Sequence, residues 1–126
     1  MKKLVLILTI LLGFSNIAFA ADKISVYYFY GKPRCATCMK IEKYTQSAVE
    51  SMKDKDVVYK SIDMEKTENI SMVKKYNLFT KSVIISKNKN GKDQWKNLDK
   101  IWLKTGNEQD FKKYITSEIK TFKGVK

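Results

Sequence analysis

The chain has 126 residues and a net charge of +12, with 25 Lys and Arg against 13 Asp and Glu. It has no histidine, which excludes Ser-His and Cys-His nucleophile pairs and histidine-ligated zinc, copper or haem. Its two cysteines lie three apart and cannot build the multi-bridge scaffold of small secreted domains, and no nucleic-acid motif accompanies the basic charge.

Lys2 and Lys3 lead into an apolar run from Leu4 to Phe14, and Ala18-Phe19-Ala20 puts small residues where a signal peptidase reads. Residues 1–20 are therefore expected to be a secretory signal peptide. The competing reading is an uncleaved anchor, but the apolar core is shorter than the ~20 residues of a comfortable span. With those twenty residues gone from 126, the mature chain is one domain, 21–126, of 106 residues. Loss of Lys2 and Lys3 takes the charge from +12 to +10. No later stretch is apolar for long enough to cross a membrane. The mature form is thus expected without a stable span, in a bacterial periplasm or other extracytoplasmic space. Its basic surface reads as a solvated lysine-rich face, or as one that draws an acidic protein or an anionic membrane. Nucleic acid is not an expected partner.

Ile24–Tyr30 is β-branched and aromatic on both faces, the pattern of a strand buried on both sides. Gly31-Lys32-Pro33 breaks it. A helix follows over about Ala36 to Lys53, with Ile41, Tyr44, Ala48, Val49 and Met52 on one stripe. Val57–Asp63 reads as a second strand. A short helix near Asn69–Tyr76 carries Ile70 and Val73 on one face, and Asn77 suits a left-handed stop. Ser82–Ser86 is a third, buried strand. Asn90-Gly91 marks a hairpin turn into a fourth strand near Gln94–Leu98. Asp99–Thr105 is ambiguous, with Ile101 and Trp102 expected to be buried. The last helix, about Glu108–Phe122, has Phe111, Tyr114, Ile115, Ile119 and Phe122 on its apolar stripe, Asn107 as N-cap and Asp110 in its first turn.

The first two strands, joined by a crossover helix, should be parallel, and the last two should form a hairpin. The expected fold is α/β and thioredoxin-like: a central mixed sheet of about four strands with flanking helices.

Cys35-Ala36-Thr37-Cys38 opens the first helix. A helix N-terminus offers free N–H groups and partial positive charge, which favour the thiolate form that attacks disulfides. Arg34 and Lys32 before the pair, and Lys40 after it, add charge that would tune the Cys35 thiolate. Cys35 is the expected attacking residue and Cys38 the resolving one, the catalytic pair of a thiol–disulfide oxidoreductase or electron relay. Its partner would be a protein thiol or disulfide, with no metal and no bound cofactor needed. Two alternatives stand beside this. One is a structural disulfide, which closes too short a loop to stabilise much. The other is a non-enzymatic module in which both thiolates and Met39 hold Cu(I), or an accessory subunit recognised through its basic face. Tyr30 and the loop at Lys81 and Ser82 are placed to flank the sulfurs, the loop as a contact for the partner. Trp95 and Trp102 read as core or hairpin surface.

The run from Tyr27 to Thr45, with Tyr-Tyr-Phe, a Gly-containing turn, Arg34-Cys35-Ala36-Thr37-Cys38 and then Ile41-Glu42-Lys43-Tyr44-Thr45, resembles a small exported thioredoxin-like family labelled nitrophenyl compound nitroreductase subunit ArsF. The resemblance implies a thioredoxin-like fold with Cys35 and Cys38 as the redox pair. The label implies nitro reduction, which ordinarily needs a flavin, and this chain has no nucleotide-binding glycine signature. Ordinary thioredoxins carry Trp-Cys-Gly-Pro-Cys, a buried acid in the preceding strand and a proline opposite the motif. Here Arg34 and Ala36-Thr37 replace the first, Ile24–Gly31 holds no acid, and Lys81-Ser82-Val83 stands where the proline would be. Those departures weigh toward a dedicated relay.

Overall fold

The computed structural model describes residues 23–124; the expected signal segment lies outside them. Strand β1 (Ile24–Tyr30) leads through a short loop into helix α1 (Ala36–Met52), followed by β2 (Val57–Asp63). A 3-10 turn at Thr67–Asn69 runs into the short helix α2 (Ile70–Lys75). Strands β3 (Ser82–Lys89) and β4 (Lys92–Asn97) come next, then a 3-10 turn at Asp99–Leu103 and helix α3 (Glu108–Lys123).

The four strands form one mixed sheet in the order β2-β1-β3-β4. β1 and β2 run parallel, with Tyr30 beside Asp63. β3 runs antiparallel to β1, with Phe29 beside Ser82, and β4 antiparallel to β3, with Ile84 beside Asn97. The chain is thus an α/β protein with a four-stranded mixed sheet and flanking helices.

Alternation along the inner strands sorts the core into two layers, because successive strand side chains point to opposite faces. Ile24, Val26 and Tyr28 of β1, with Val83 and Ile85 of β3, pack against Ile41, Ala48 and Val49 of α1 and Phe111, Ile115 and Ile119 of α3. Phe29 and Ile84 point the other way, onto Tyr76, Leu78 and the partly buried Met72 and Val73 around α2. Each fully buried Leu, Ile, Val or Phe contributes roughly 1.5–3 kcal/mol against exposure, so the larger layer dominates the stability. Tyr44 of α1 meets Phe111 of α3 edge-on, ring centroids 5.5 Å apart.

The turns follow their residues. Lys53, Asn77, Asn90 and Gly91 take positive φ, the last two forming the β3–β4 turn expected of Asn-Gly. Asn107 caps α3, its side chain accepting from the Asp110 N–H at 3.1 Å. One burial expectation is corrected. Trp102 is 38% exposed while Ile101 is buried: in a 3-10 turn adjacent side chains diverge, so only one of the pair can face the core. Of the two residues read on one face of α2, Val73 packs against the smaller layer and Ile70 is exposed. β4 begins at Lys92, earlier than its apolar pattern indicated, because the tight turn lets pairing start at once with Lys89.

Candidate active site

β1 ends at Tyr30, and Gly31–Arg34 carries the chain over the sheet edge into α1. Cys35 is the N-cap of that helix. Its backbone is extended (φ −77°, ψ 161°), its carbonyl accepts from the Met39 N–H at 3.0 Å, and its sulfur accepts from the Cys38 N–H at 3.1 Å. A sulfur here takes the capping role that Ser or Asp usually plays. It therefore sits where the helix offers free N–H groups and partial positive charge. The first turn of α1 holds no acidic side chain to oppose that field.

Cys35 and Cys38 are joined as a disulfide, with Cα atoms 5.0 Å apart. The two residues differ sharply in access: Cys35 is exposed, and Cys38 is 3% exposed, against the core layer that contains Ile41. A reagent from solvent reaches one and not the other.

Beneath the pair, the buried Tyr28 hydroxyl donates to the Cys38 carbonyl at 3.0 Å. Burial pushes the Tyr28 phenol up to about 12, with the charge of Glu42 adding to the effect, so the hydroxyl stays protonated as a donor. That bond ties β1 to the first turn of α1 and fixes the depth of Cys38. The contact depends on how the chain crosses from β1 into α1, and no local pattern around Tyr28 announces it.

The flanking residues divide. The Arg34 guanidinium lies 4.3 Å from the Tyr30 ring centroid and pairs with Glu42, so its charge is shared with a carboxylate rather than reserved for the sulfur. Tyr30 stacks on Tyr28 at 6.4 Å between centroids. Lys32 is exposed before the cis Lys32–Pro33 peptide bond. Lys81 reaches across from the β3 approach and donates its ammonium to the Pro33 carbonyl, so that loop does meet the loop that carries the pair. Ser82 turns inward: it is 5% exposed and its hydroxyl donates to the Thr80 carbonyl at 2.8 Å, which leaves its side chain unavailable to a partner.

Two open grooves flank the pair. One, of about 480 Å³, runs along α1 past Arg34, Ala36, Met39, Lys40, Lys43 and Gln46. The other, of about 320 Å³, lies between Gly31, Lys32, Met64, Glu65, Phe79 and Lys81. Phe79 went unread in the sequence because it falls in an irregular stretch with no periodicity to betray its direction.

No protein-family model matches the chain, and no curated protein sequence does. A solved structure described as that of a malarial protein is similar over 60% of this chain and 80% of its own, at 21% identity and a TM-score of 0.42. A superposition that loose carries no argument. Among the described residues no helix is long and apolar enough to cross a membrane.

Proposed function

We propose that this chain is an exported thiol–disulfide oxidoreductase or electron-relay protein of thioredoxin-like fold, with Cys35 as nucleophile and Cys38 as resolving residue. The observation that carries the reading is the asymmetry of the pair: one sulfur exposed at a helix N-cap, accepting a backbone N–H, and its partner buried one turn in. The strand order, with Cys-x-x-Cys at a strand-to-helix junction, supports the same reading, as does the resemblance of Tyr27–Thr45 to the small exported family.

In the reducing direction, the Cys35 thiolate attacks one sulfur of a partner disulfide. The partner S–S bond breaks, and its leaving thiolate takes a proton from solvent. Cys38 gives up its proton and attacks the Cys35 sulfur, which breaks the mixed disulfide and releases the second partner thiolate. Two electrons and two protons pass from the protein dithiol to the partner, and the protein is left as the disulfide. The reverse sequence oxidises a dithiol partner.

Equilibration in glutathione buffers of graded ratio, followed by alkylation and intact mass, tests this. The expected result is a reversible two-electron titration between about −270 and −120 mV. A pair that stays oxidised throughout would make the disulfide structural. Retention of one copper per chain through gel filtration, with no redox cycling, would instead make it a Cu(I)-binding module.

A further inference from the structure

The two cysteines are carried by the first turn of α1, where helical bonding is incomplete. The Met39 N–H bonds to the Cys35 carbonyl, and the N–H groups ahead of it have no carbonyl four residues back within the helix. The Cys38 N–H is answered by the Cys35 sulfur at 3.1 Å, and the disulfide closes the same turn. Both restraints use the Cys35 sulfur. When that sulfur is joined to a partner instead, the link between the two cysteines is open, and something else must keep Cys38 in place to attack it.

Tyr28 stands where it can do so. Its hydroxyl donates to the Cys38 carbonyl at 3.0 Å. In an α-helix that carbonyl already accepts from the N–H four residues on. The tyrosine is a second donor, and it comes from the sheet. Among the described residues it makes the one hydrogen bond that joins α1 to a strand. Otherwise α1 meets the sheet through the apolar packing of residues such as Ile41, Ala48 and Val49, which holds the helix down without a preferred direction. The hydroxyl supplies the directional contact that fixes where the first turn lies along β1.

The tyrosine is itself held. It is 1% exposed, within the larger core layer, and its ring stacks on Tyr30. The Arg34 guanidinium lies over Tyr30 and pairs with Glu42, one turn beyond Cys38. Contacts therefore run in a ring from β1 through the loop to α1 and back to Cys38. None of them involves either sulfur, so opening the disulfide removes none of them.

We propose that Tyr28 is a positioning residue for the second half of the exchange, holding Cys38 within reach of Cys35 while Cys35 is bound to the partner. Tyr28 has this role only if the thiol–disulfide reading holds. In the resolving step Cys38 gives its proton to solvent and its sulfur bonds to the Cys35 sulfur. The bond from Cys35 to the partner sulfur breaks, and its electron pair leaves on the partner thiolate. Tyr28 takes no proton and makes no bond in that step. It supplies geometry, on which intramolecular attack depends steeply, a displacement of about 1 Å costing up to about a hundredfold. The first step needs no such help, because Cys35 is exposed and meets its partner from solvent.

Oxidised glutathione reads the two steps separately. The pre-reduced protein is mixed with an excess of it, the reaction is stopped with acid at intervals, and intact mass resolves dithiol, glutathione adduct and disulfide. Adduct formation reports attack by Cys35, and conversion of adduct to disulfide reports attack by Cys38. Tyr28→Phe keeps the ring and removes the hydroxyl. It should form the adduct at the parent rate and convert it roughly tenfold more slowly. Asp93→Asn, on β4, should lose comparable stability and change neither rate, which separates positioning from a general loosening of the fold. Equal conversion rates in the parent and Tyr28→Phe would overturn the positioning role and leave the redox reading standing. So would equal slowing of both steps, or slowing of conversion by Asp93→Asn as large as that by Tyr28→Phe. A parent protein that forms no adduct, or forms one and never converts it, would sink the redox reading and the positioning role with it.

Discussion

Tyr28 shows how one buried hydroxyl can set a site. Its bond to the Cys38 carbonyl joins the central strand to the first turn of α1, ten residues away in sequence. Tyr28→Phe keeps the ring in the core and removes only that bond, so it should cost about 0.5–1.5 kcal/mol in urea unfolding. Glu42 acts from the opposite side. It holds Arg34 by an exposed ion pair, and an exposed pair is worth at most about 1 kcal/mol. Glu42→Gln frees the guanidinium, which then favours the thiolate of the reduced pair. The reduction potential should rise by on the order of 10–20 mV, read in the same glutathione titration. Both sulfurs and the basic residues around them could be read from the sequence because they sit in one local run. Tyr28 could not, because its role depends on a crossover.

Among the elements, β4 is the least apolar strand, with no fully buried residue, and it is held to its neighbours by polar contacts. Asp93 accepts from Ser86 of β3 and from the Tyr76 hydroxyl at 3.4 Å, and pairs with Lys75 of α2. Desolvation pushes the Asp93 carboxyl up, but the Lys75 and Ser86 donors outweigh it and hold it below its ordinary value. A carboxyl lowered in the folded state contributes stability above its unfolded pKa of about 3.9, and that stability is lost as pH falls through the lower folded value. Asp93→Asn should therefore lower stability near pH 7, by at most about 1 kcal/mol for so solvated a group, with the difference from the parent closing below about pH 4. Denaturant melts at neutral and acid pH read both arms. Hydrophobic period made α1, β1, β3 and α3 legible in the sequence, and Asn77 and Asn90-Gly91 announced their turns. The stretch Asp99–Leu103 stayed ambiguous because a 3-10 turn has no period long enough to read, and for the same reason Trp102 was expected on the wrong side.

At the scale of the whole molecule, stability comes from two core layers that the disulfide does not bridge. The larger joins α1 and α3 to the sheet and the smaller lies under α2, while the Cys35–Cys38 link closes only three residues. Matched melts with and without reductant should differ by only a few degrees, roughly the shift for ~1 kcal/mol in a domain this size. By contrast Phe111→Ala, which empties the junction of α1 and α3, should cost about 3–5 kcal/mol. The strand and helix order could be read from sequence, and so could the position of the pair. The groove beside Lys32 could not, because it arises only when the fold brings the Phe79–Lys81 loop against the loop that precedes Cys35. The central claim is the division of labour between an exposed and a buried sulfur. The most direct measurement is the rate of mixed-disulfide formation with oxidised glutathione for Cys38→Ser and Cys35→Ser, each followed by intact mass. Cys38→Ser should form a stable adduct, at least about a hundredfold faster than Cys35→Ser, whose remaining sulfur is sheltered by the core. Equal rates, or faster capture by Cys35→Ser, would contradict it.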